Sequence, residues 1–241
     1  MKNYIQLLIV ILLTNLSCAQ NTYKGTIDDW DNKQAEIILP TEEPLVIGKV
    51  DTKGTVTLNL SDSLTKTLID LKKEVDKETG NIKIVGQSVS RSFYCKPEQV
   101  NVVNGDIVPI KAVGRGSFYI GDIKAQKLYG QLRIASSEAF NNSYFSFGKK
   151  DFVVGYYIDF FYVEEDASVN GICRSESYTM DMKNVVELIV DYNINLKKGW
   201  NLVKIEVAET YVDGEKIRPL KTVMSTIEAI PQDAKFILFE Q

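Results

Sequence analysis

Apolar and polar residues alternate along much of the chain, and a period of two is typical of β-strands with one solvent-exposed face. Over residues 54–60, valine and leucine alternate with threonine and asparagine. The preceding Asp51-Thr-Lys-Gly54 ends in a glycine, which supplies the positive φ that a short hairpin loop requires. The pattern therefore predicts a β-hairpin formed by residues 45–51 and 54–60.

Other segments rich in β-branched and aromatic residues are separated by glycine or by Asn-Gly. They predict strands at residues 25–27, 35–39, 82–85, 100–103, 107–113, 118–123, 128–135, 152–163, 185–195, 201–211, 221–230 and 236–239. Segment 152–163 is apolar at successive positions, which predicts a strand that is buried on both faces between two layers.

One segment has helical periodicity. Leucine and valine recur every three or four residues across 64–75, with lysine and glutamate between them. The segment 61–63, Ser-Asp-Ser, is suited to cap a helix, and Gly80 is suited to end one. We therefore predict one short amphipathic helix over about residues 64–77, covering an open edge or end of a sheet.

Strands at this spacing with a single helix predict an all-β fold, either an antiparallel β-sandwich or a partly open barrel. The chain has only 6 prolines and no linker rich in proline, glycine or serine. We therefore expect one domain over residues 20–241, with two small β domains split near residue 115 as the alternative.

The first residues have the organisation of a secretory signal peptide. Lys2 is followed by an uncharged apolar run over residues 7–13 and then by polar and small residues. This run is too short to be a transmembrane helix. We therefore predict that residues 1–19 are a signal peptide, and we expect an exported protein of the periplasm, outer membrane or cell surface of a bacterium.

Two processing routes remain open. Ser17-Cys18-Ala19 has the small residues that ordinary signal peptidase requires, whereas Leu16-Ser17-Cys18 resembles a bacterial lipobox. In the second case Cys18 is lipidated and becomes the first residue of the mature protein. Asn15 departs from the lipobox pattern, which has an aliphatic residue at that position.

Cys95 and Cys173 are the other two of the chain's 3 cysteines. In an exported protein such a pair predicts one disulfide, and the alternative is two buried thiols that never meet. Neither cysteine belongs to a CxxC motif, so a redox or zinc site is not expected.

The absence of histidine from the 241 residues excludes several classes of site. These are Ser-His-Asp and Cys-His nucleophiles and metal centres built on histidine. With 28 basic and 32 acidic residues the net charge is −4. That balance gives no reason to expect a nucleic acid partner, and it leaves a lipid anchor on Cys18 as the expected contact with a membrane.

Two tryptophans are the candidate ligand-binding residues. Trp30 and Trp200 lie beside turns, where an indole either packs over the end of a sandwich or contacts a ligand. In the strand after Gly199, alternation places Trp200 with Leu202, on the face that continues with charged residues. If the strand is regular, Trp200 lies on its more solvent-exposed face near the end of the sheet, and a β-bulge would exchange the two faces. The interpretation that we favour is that the indole caps the core over a neighbouring loop.

The densest acidic cluster surrounds Trp30. The carboxylates of Asp28, Asp29 and Asp31 could coordinate calcium, but the glycine and the distal glutamate of an EF-hand loop are absent. We expect a solvated turn and no cofactor, with a calcium site as the alternative.

Four segments occur in a fixed order along the chain. They are GTIDDW at 25–30, IGKVDTKGTVTL at 47–58, YVEEDASVNG at 162–171 and LKKGWN at 196–201. Together they resemble a family of uncharacterised exported bacterial proteins and lipoproteins. The resemblance implies a β protein of the cell envelope and transfers no catalytic or binding residue.

These observations predict a non-enzymatic structural or binding protein of the cell envelope, with a glycan or an envelope protein as partner. The alternative is a histidine-independent hydrolase of envelope or extracellular carbohydrate. Such an enzyme would use a pair of carboxylates on either side of the scissile bond.

Overall fold

The computed structural model describes residues 22–30, 33–39, 44–61, 63–70, 87–111 and 117–239. Several predicted features lie outside these ranges: the signal peptide with Cys18, residue Asp31, the strand at 82–85 and the predicted helix beyond residue 70. No helix among the described residues is both long enough and apolar enough to cross a membrane.

Strands dominate the described part of the chain, so the predicted all-β class is confirmed. The strands are β1 Thr22–Thr26, β2 Ala35–Leu39, β3 Leu45–Val50, β4 Thr55–Asn59, β5 Val100–Val103, β6 Ile110–Lys111, β7 Ser117–Asp122, β8 Lys127–Ala135, β9 Gly155–Val163, β10 Ala167–Tyr178, β11 Val185–Leu196, β12 Gly199–Asp213, β13 Lys216–Ile227 and β14 Lys235–Phe239. The helices are α1 (63–70), α2 Val89–Ser92 and α3 Glu138–Tyr144.

The strands form one large sheet in the order β1-β4-β3-β2-β7-β8-β9-β12-β13-β11-β10-β5, while β14 pairs with β8 and β6 with β9. The named strands pair antiparallel, as predicted, except that β11 and β13 run parallel. The physical reason is topological. β13 lies between β11 and β12, which run in opposite directions, and its antiparallel pairing with β12 makes it parallel to β11.

Strand β9 has the predicted position, with both faces buried. Tyr156, Ile158 and Phe160 belong to the first core, which also contains residues of β2–β4, β7, β8 and α1. The alternate residues, among them Phe161 and Val163, belong to a second core, which contains residues of β5, β10, β11, β12, α2 and α3. The run of apolar residues in this strand is therefore explained by two cores that it separates.

Helix α1 begins as predicted. The Oγ of Ser61 accepts a hydrogen bond from the Leu64 amide at 3.3 Å, and Leu64 packs into the first core. The sequence pattern predicted one helix, and the structure contains two more short ones. In α3, the Oγ of Ser137 accepts from the Phe140 amide at 3.0 Å, and Phe140 is fully buried in the second core.

The predicted disulfide is present. Cys95 and Cys173 are bonded, with their Cα atoms 5.7 Å apart and a sequence separation of 78 residues. The bond joins the segment between α2 and β5 to the middle of β10. Pairing of β10 with β5 ends at Gly171, so the disulfide fastens β10 just beyond the last paired residue.

Candidate functional site

A cavity of about 510 Å³ opens beside the turn that follows β1. We call it the Trp30 cleft. Its apolar floor comes from Leu128 and from β14, and its polar wall comes from the turn, the start of β8 and α3. The side chains that give it chemical character are Asp28, Asp29, Trp30, Lys33, Lys127, Tyr129, Glu138, Asn142 and Lys235. Its volume lies within the range of cavities that bind small ligands.

Trp30 is held in place at the wall of this cleft. Its indole Nε1 donates a hydrogen bond to the Lys33 carbonyl at 2.6 Å, and its ring packs against the first core. Gly54, with a φ of +79°, passes so close that an added Cβ would lie 2.8 Å from the Trp30 Cβ. The glycine of the predicted β3–β4 hairpin therefore also makes room for Trp30.

Tyr129 forms the second aromatic surface of the cleft. Its ring meets Trp30 edge to face, with centroids 6.4 Å apart. The ammonium groups of Lys127 and Lys33 lie 5.2 Å and 5.6 Å from the Tyr129 centroid. These cation–π contacts fix the lysine side chains beside the ring, so amine donors and two aromatic surfaces lie together.

Among the described residues that line the cleft, positive and negative side chains are equal in number. Three lysines stand against the three carboxylates of Asp28, Asp29 and Glu138. One pair is already engaged, since Lys235 Nζ lies 3.5 Å from an oxygen of Asp28. Together with the Asn142 amide, these groups offer hydrogen-bond donors and acceptors in similar number.

The acidic cluster around Trp30 does not form a metal site with the rest of the described chain. In the ranges given above, no group of three or more acidic or cysteine side chains is arranged to hold a metal ion. Asp28 instead pairs with Lys235, and Asp29 has a φ of +54° within the turn. Asp31 lies outside the described residues.

Trp200 lies in another part of the molecule, against helix α1. Its Nε1 donates to Oγ1 of Thr65 at 2.8 Å, and its ring centroid lies 5.6 Å from that of Tyr162. The predicted alternation in β12 is confirmed, since Leu202 lies in the first core and Val203 in the second. Trp200 packs against the first core, as the interpretation of a cap over the core predicts, and it does not lie on an open solvent-exposed face. Its face of β12 is covered by the first core and α1, and Trp200 is half-buried.

A larger cavity of about 890 Å³ lies between β3 and α1. Neither tryptophan lines it. Of the two cavities, the Trp30 cleft is therefore the one that contains a predicted ligand-binding residue.

The sequence pattern identified Trp30 but not its partners. Lys127 and Tyr129 stand in an ordinary strand segment, about one hundred residues from Trp30 in sequence. No local signal in that segment distinguishes them from surface residues. Only the pairing of the strands brings them to the turn after β1.

No family model, no curated protein and no solved structure matches this chain. The resemblance to exported envelope proteins and lipoproteins therefore stays a prediction.

Proposed function

We propose that the chain is an exported, non-enzymatic binding protein of the bacterial cell envelope, and that it binds a neutral carbohydrate in the Trp30 cleft. The observation that carries this proposal is the edge-to-face pair of Trp30 and Tyr129, with polar groups of both kinds around it. A sugar ring has an apolar face that packs on aromatic side chains. Its hydroxyl groups both donate and accept hydrogen bonds.

The balance of charge favours a neutral ligand. Anion sites concentrate cationic donors, whereas here three lysines are matched by three carboxylates. Glu138 and Asp29 are acceptors for hydroxyl groups, and Lys127 and Asn142 are donors. The lysines would attract the negative charge of a uronic acid or a phosphate, but the carboxylates would repel it.

Two further features support export. The signal-peptide pattern of residues 1–19 is one, and the disulfide between Cys95 and Cys173 is the other. Disulfides persist in oxidising compartments such as the periplasm. A lipid anchor on Cys18 would hold the cleft at an envelope membrane, and removal of residues 1–19 would release it.

The binding proposal is tested by probing the exported protein against an array of envelope and extracellular glycans. Hits are then measured by isothermal titration calorimetry. We expect Trp30→Ala and Tyr129→Ala each to weaken binding by about tenfold or more. Trp200→Ala is the matched control, because it removes an equally large, half-buried indole outside the cleft.

Absence of binding to every glycan would overturn the proposal, as would unchanged affinity in both cleft variants. The same assay addresses the hydrolase alternative, because Asp29 and Glu138 are two carboxylates at one cleft. Release of reducing sugar by the unmodified protein, abolished in Glu138→Gln, would favour the hydrolase over a binding protein.

A further inference from the structure

Three loops meet at one end of the molecule. The Phe152 amide, in the loop before β9, donates to the Ile217 carbonyl at 3.1 Å, at the start of β13. The Met180 amide, in the β10–β11 turn, donates to Oδ1 of Asp213 at 2.7 Å, at the end of β12. We call residues 149–154, 178–185 and 212–218 the hairpin end. These backbone contacts hold the three loops side by side.

Large apolar side chains project from the hairpin end into solvent. Six of them are more than half exposed: Val154, Tyr178, Met180, Met182, Val185 and Val212. Met180 and Met182 lie in the β10–β11 turn, where glycine, asparagine, aspartate or serine is usual. Tyr178, Val185 and Val212 lie at the ends of the adjoining strands. A cluster of exposed apolar side chains on one end of a protein marks a surface that contacts another body.

Met182 combines an exposed side chain with an unfavourable backbone conformation. Its φ is +59°, in the left-handed region that favours glycine or asparagine. The turn around it is closed by two hydrogen bonds, from the Thr179 amide to the Asn184 carbonyl and from the Met182 amide to the Thr179 carbonyl. A methionine here is unfavourable both for the backbone and for hydration, since its side chain is 69% exposed. A binding role accounts for its presence.

The three segments of the hairpin end carry five cationic and four acidic side chains, so their net charge is +1, and Arg218 lies 3.8 Å from a carboxylate oxygen of Asp213. Asp151 accepts from the Ile217 amide, and Asp181 accepts from the Lys183 amide. Asp213 is buried and accepts from Met180. Glu215 is the fourth carboxylate within these three segments. The cations of the same segments are Lys149, Lys150, Lys183, Lys216 and Arg218.

We propose that the hairpin end contacts the surface of an anionic lipid bilayer. The apolar side chains enter the interface between headgroups and acyl chains, and the lysines contact lipid phosphates. Apolar residues carried on strand ends and on the turn between β10 and β11, with lysines beside them, suit a lipid surface, which adapts its shape to what enters it. A protein partner requires a complementary surface, and charged residues are depleted at the core of such interfaces.

This contact is independent of the Trp30 cleft and adds to any lipid anchor on Cys18. The net charge of −4 gives no hint of it, because the hairpin end has an excess of one cation while the chain as a whole has an excess of acidic residues. It also differs from the sequence-based expectation that Cys18 is the only means of membrane contact. The hairpin end would orient the protein on the membrane that the anchor selects.

The test is sedimentation of the exported protein with lipid vesicles, in a Cys18→Ala background that excludes an acyl chain. The vesicles contain phosphatidylcholine alone or an equal mixture with phosphatidylglycerol. We expect binding to the anionic vesicles. We expect Met182→Asp combined with Val212→Asp to lower the partition coefficient by about tenfold or more. Lys150→Gln or Lys183→Gln should lower it about fivefold each, on anionic vesicles only.

Tyr94→Asp is the matched control, because Tyr94 is 76% exposed and lies outside the hairpin end. It should leave binding unchanged. Thermal unfolding of each variant shows whether lost binding reflects lost folding. A second measurement uses a variant that still binds. The tryptophan fluorescence of Val212→Trp should shift to shorter wavelength when anionic vesicles are added.

Three outcomes would overturn the proposal. The first is no sedimentation of the parent protein with either kind of vesicle. The second is an equal loss of binding in Tyr94→Asp. The third is self-association in sedimentation velocity that the Met182→Asp and Val212→Asp pair abolishes, without any binding to vesicles. That result would assign the hairpin end to contact between copies of this chain.

Discussion

The indole nitrogen of Trp200 donates a hydrogen bond to the hydroxyl of Thr65, 135 residues earlier in the chain and 2.8 Å away. Thr65 in turn donates to the Ser61 carbonyl at 3.0 Å. The residue that caps α1 and the residue that begins β12 are thereby linked through one threonine. This chain of contacts joins α1 to the sheet over the end of the first core.

We expect Trp200→Ala to lower the free energy of unfolding by about 3 kcal/mol, because it removes a large packed ring. Trp200→Phe keeps most of the packing and should cost about 1 kcal/mol, chiefly for the lost hydrogen bond. Urea unfolding measures both values. A double-mutant cycle of Trp200→Phe with Thr65→Val should give a coupling of about 1 kcal/mol. A coupling near zero would contradict a role for this hydrogen bond in stability.

Removing the disulfide should destabilise the protein. Cys95→Ser combined with Cys173→Ser opens a loop of 78 residues, and the chain-entropy model gives about 4 kcal/mol for such a loop. Non-reducing mass spectrometry of protein taken from the periplasm checks that the bond forms. Two free thiols in that sample would contradict the pairing, and equal stability of the double variant would contradict its energetic role.

Asp51 should make stability depend on acid pH. Hydrogen bonds from the Thr55 and Lys53 amides hold the pKa of the Asp51 carboxyl below its usual value. A depressed pKa in the folded state stabilises the fold above the ordinary pKa of aspartate. That contribution is lost as the pH falls through the folded value.

Asp51→Asn should therefore lower the melting temperature at neutral pH and make its fall below about pH 4 less steep. Melting curves over this range provide the measurement. Glu98→Gln, an exposed residue, controls for the loss of one negative charge. Equal acid sensitivity of Asp51→Asn and the parent protein would contradict the prediction.

Gly155 and Gly214 form a matched pair for a packing test. Both have positive φ, +148° and +64°, so alanine is strained at each. A Cβ at Gly155 would lie 2.7 Å from the Phe140 ring in the second core, whereas one at Gly214 meets nothing within 4 Å. Gly155→Ala should therefore cost about 1–3 kcal/mol more than Gly214→Ala in chemical unfolding. A similar loss of unfolding free energy in both variants would mean that the second core accommodates the added methyl group, which would contradict the prediction.

Elements whose signal is local were predictable. The hairpin of β3 and β4 follows from alternation and from Gly54, and the place of β9 between two cores follows from its continuous apolar run. Strand β10 was not predicted. Asn170, Gly171 and Arg174 interrupt its apolar pattern. Its extended form is set by twelve paired residues of β11, which is a contact that no short segment encodes.

The candidate site was predictable in one residue only. Trp30 could be identified because a tryptophan beside a turn either packs over the end of a sheet or contacts a ligand. Lys127 and Tyr129 acquire their role from the sheet, which brings the start of β8 to the turn after β1. Helix α3, which contributes Glu138, spans seven residues and is too short to show a helical period.

Because β13 lies between β11 and β12, the centre of the sheet can close only after β13 has been synthesised. β11 and β12 are consecutive, and only residues 197 and 198 connect them, a length that usually makes a hairpin of neighbours. Here the side-chain amide of Asn201 holds the connection, with its Nδ2 donating to the Lys197 carbonyl at 2.7 Å. The two strands then diverge to admit a third that is synthesised later.

A chain that has emerged only as far as β12 therefore has two open strand edges at the centre of its final sheet. If those edges pair with each other, the resulting hairpin must open before β13 can enter, which is slow and exposes the intermediate to aggregation. The gap between β11 and β12 is filled only after residue 227 has followed, and β14 must still pair with β8 after that. Under the export proposed above, a chain that crosses the membrane unfolded would close the centre of its sheet as a late step.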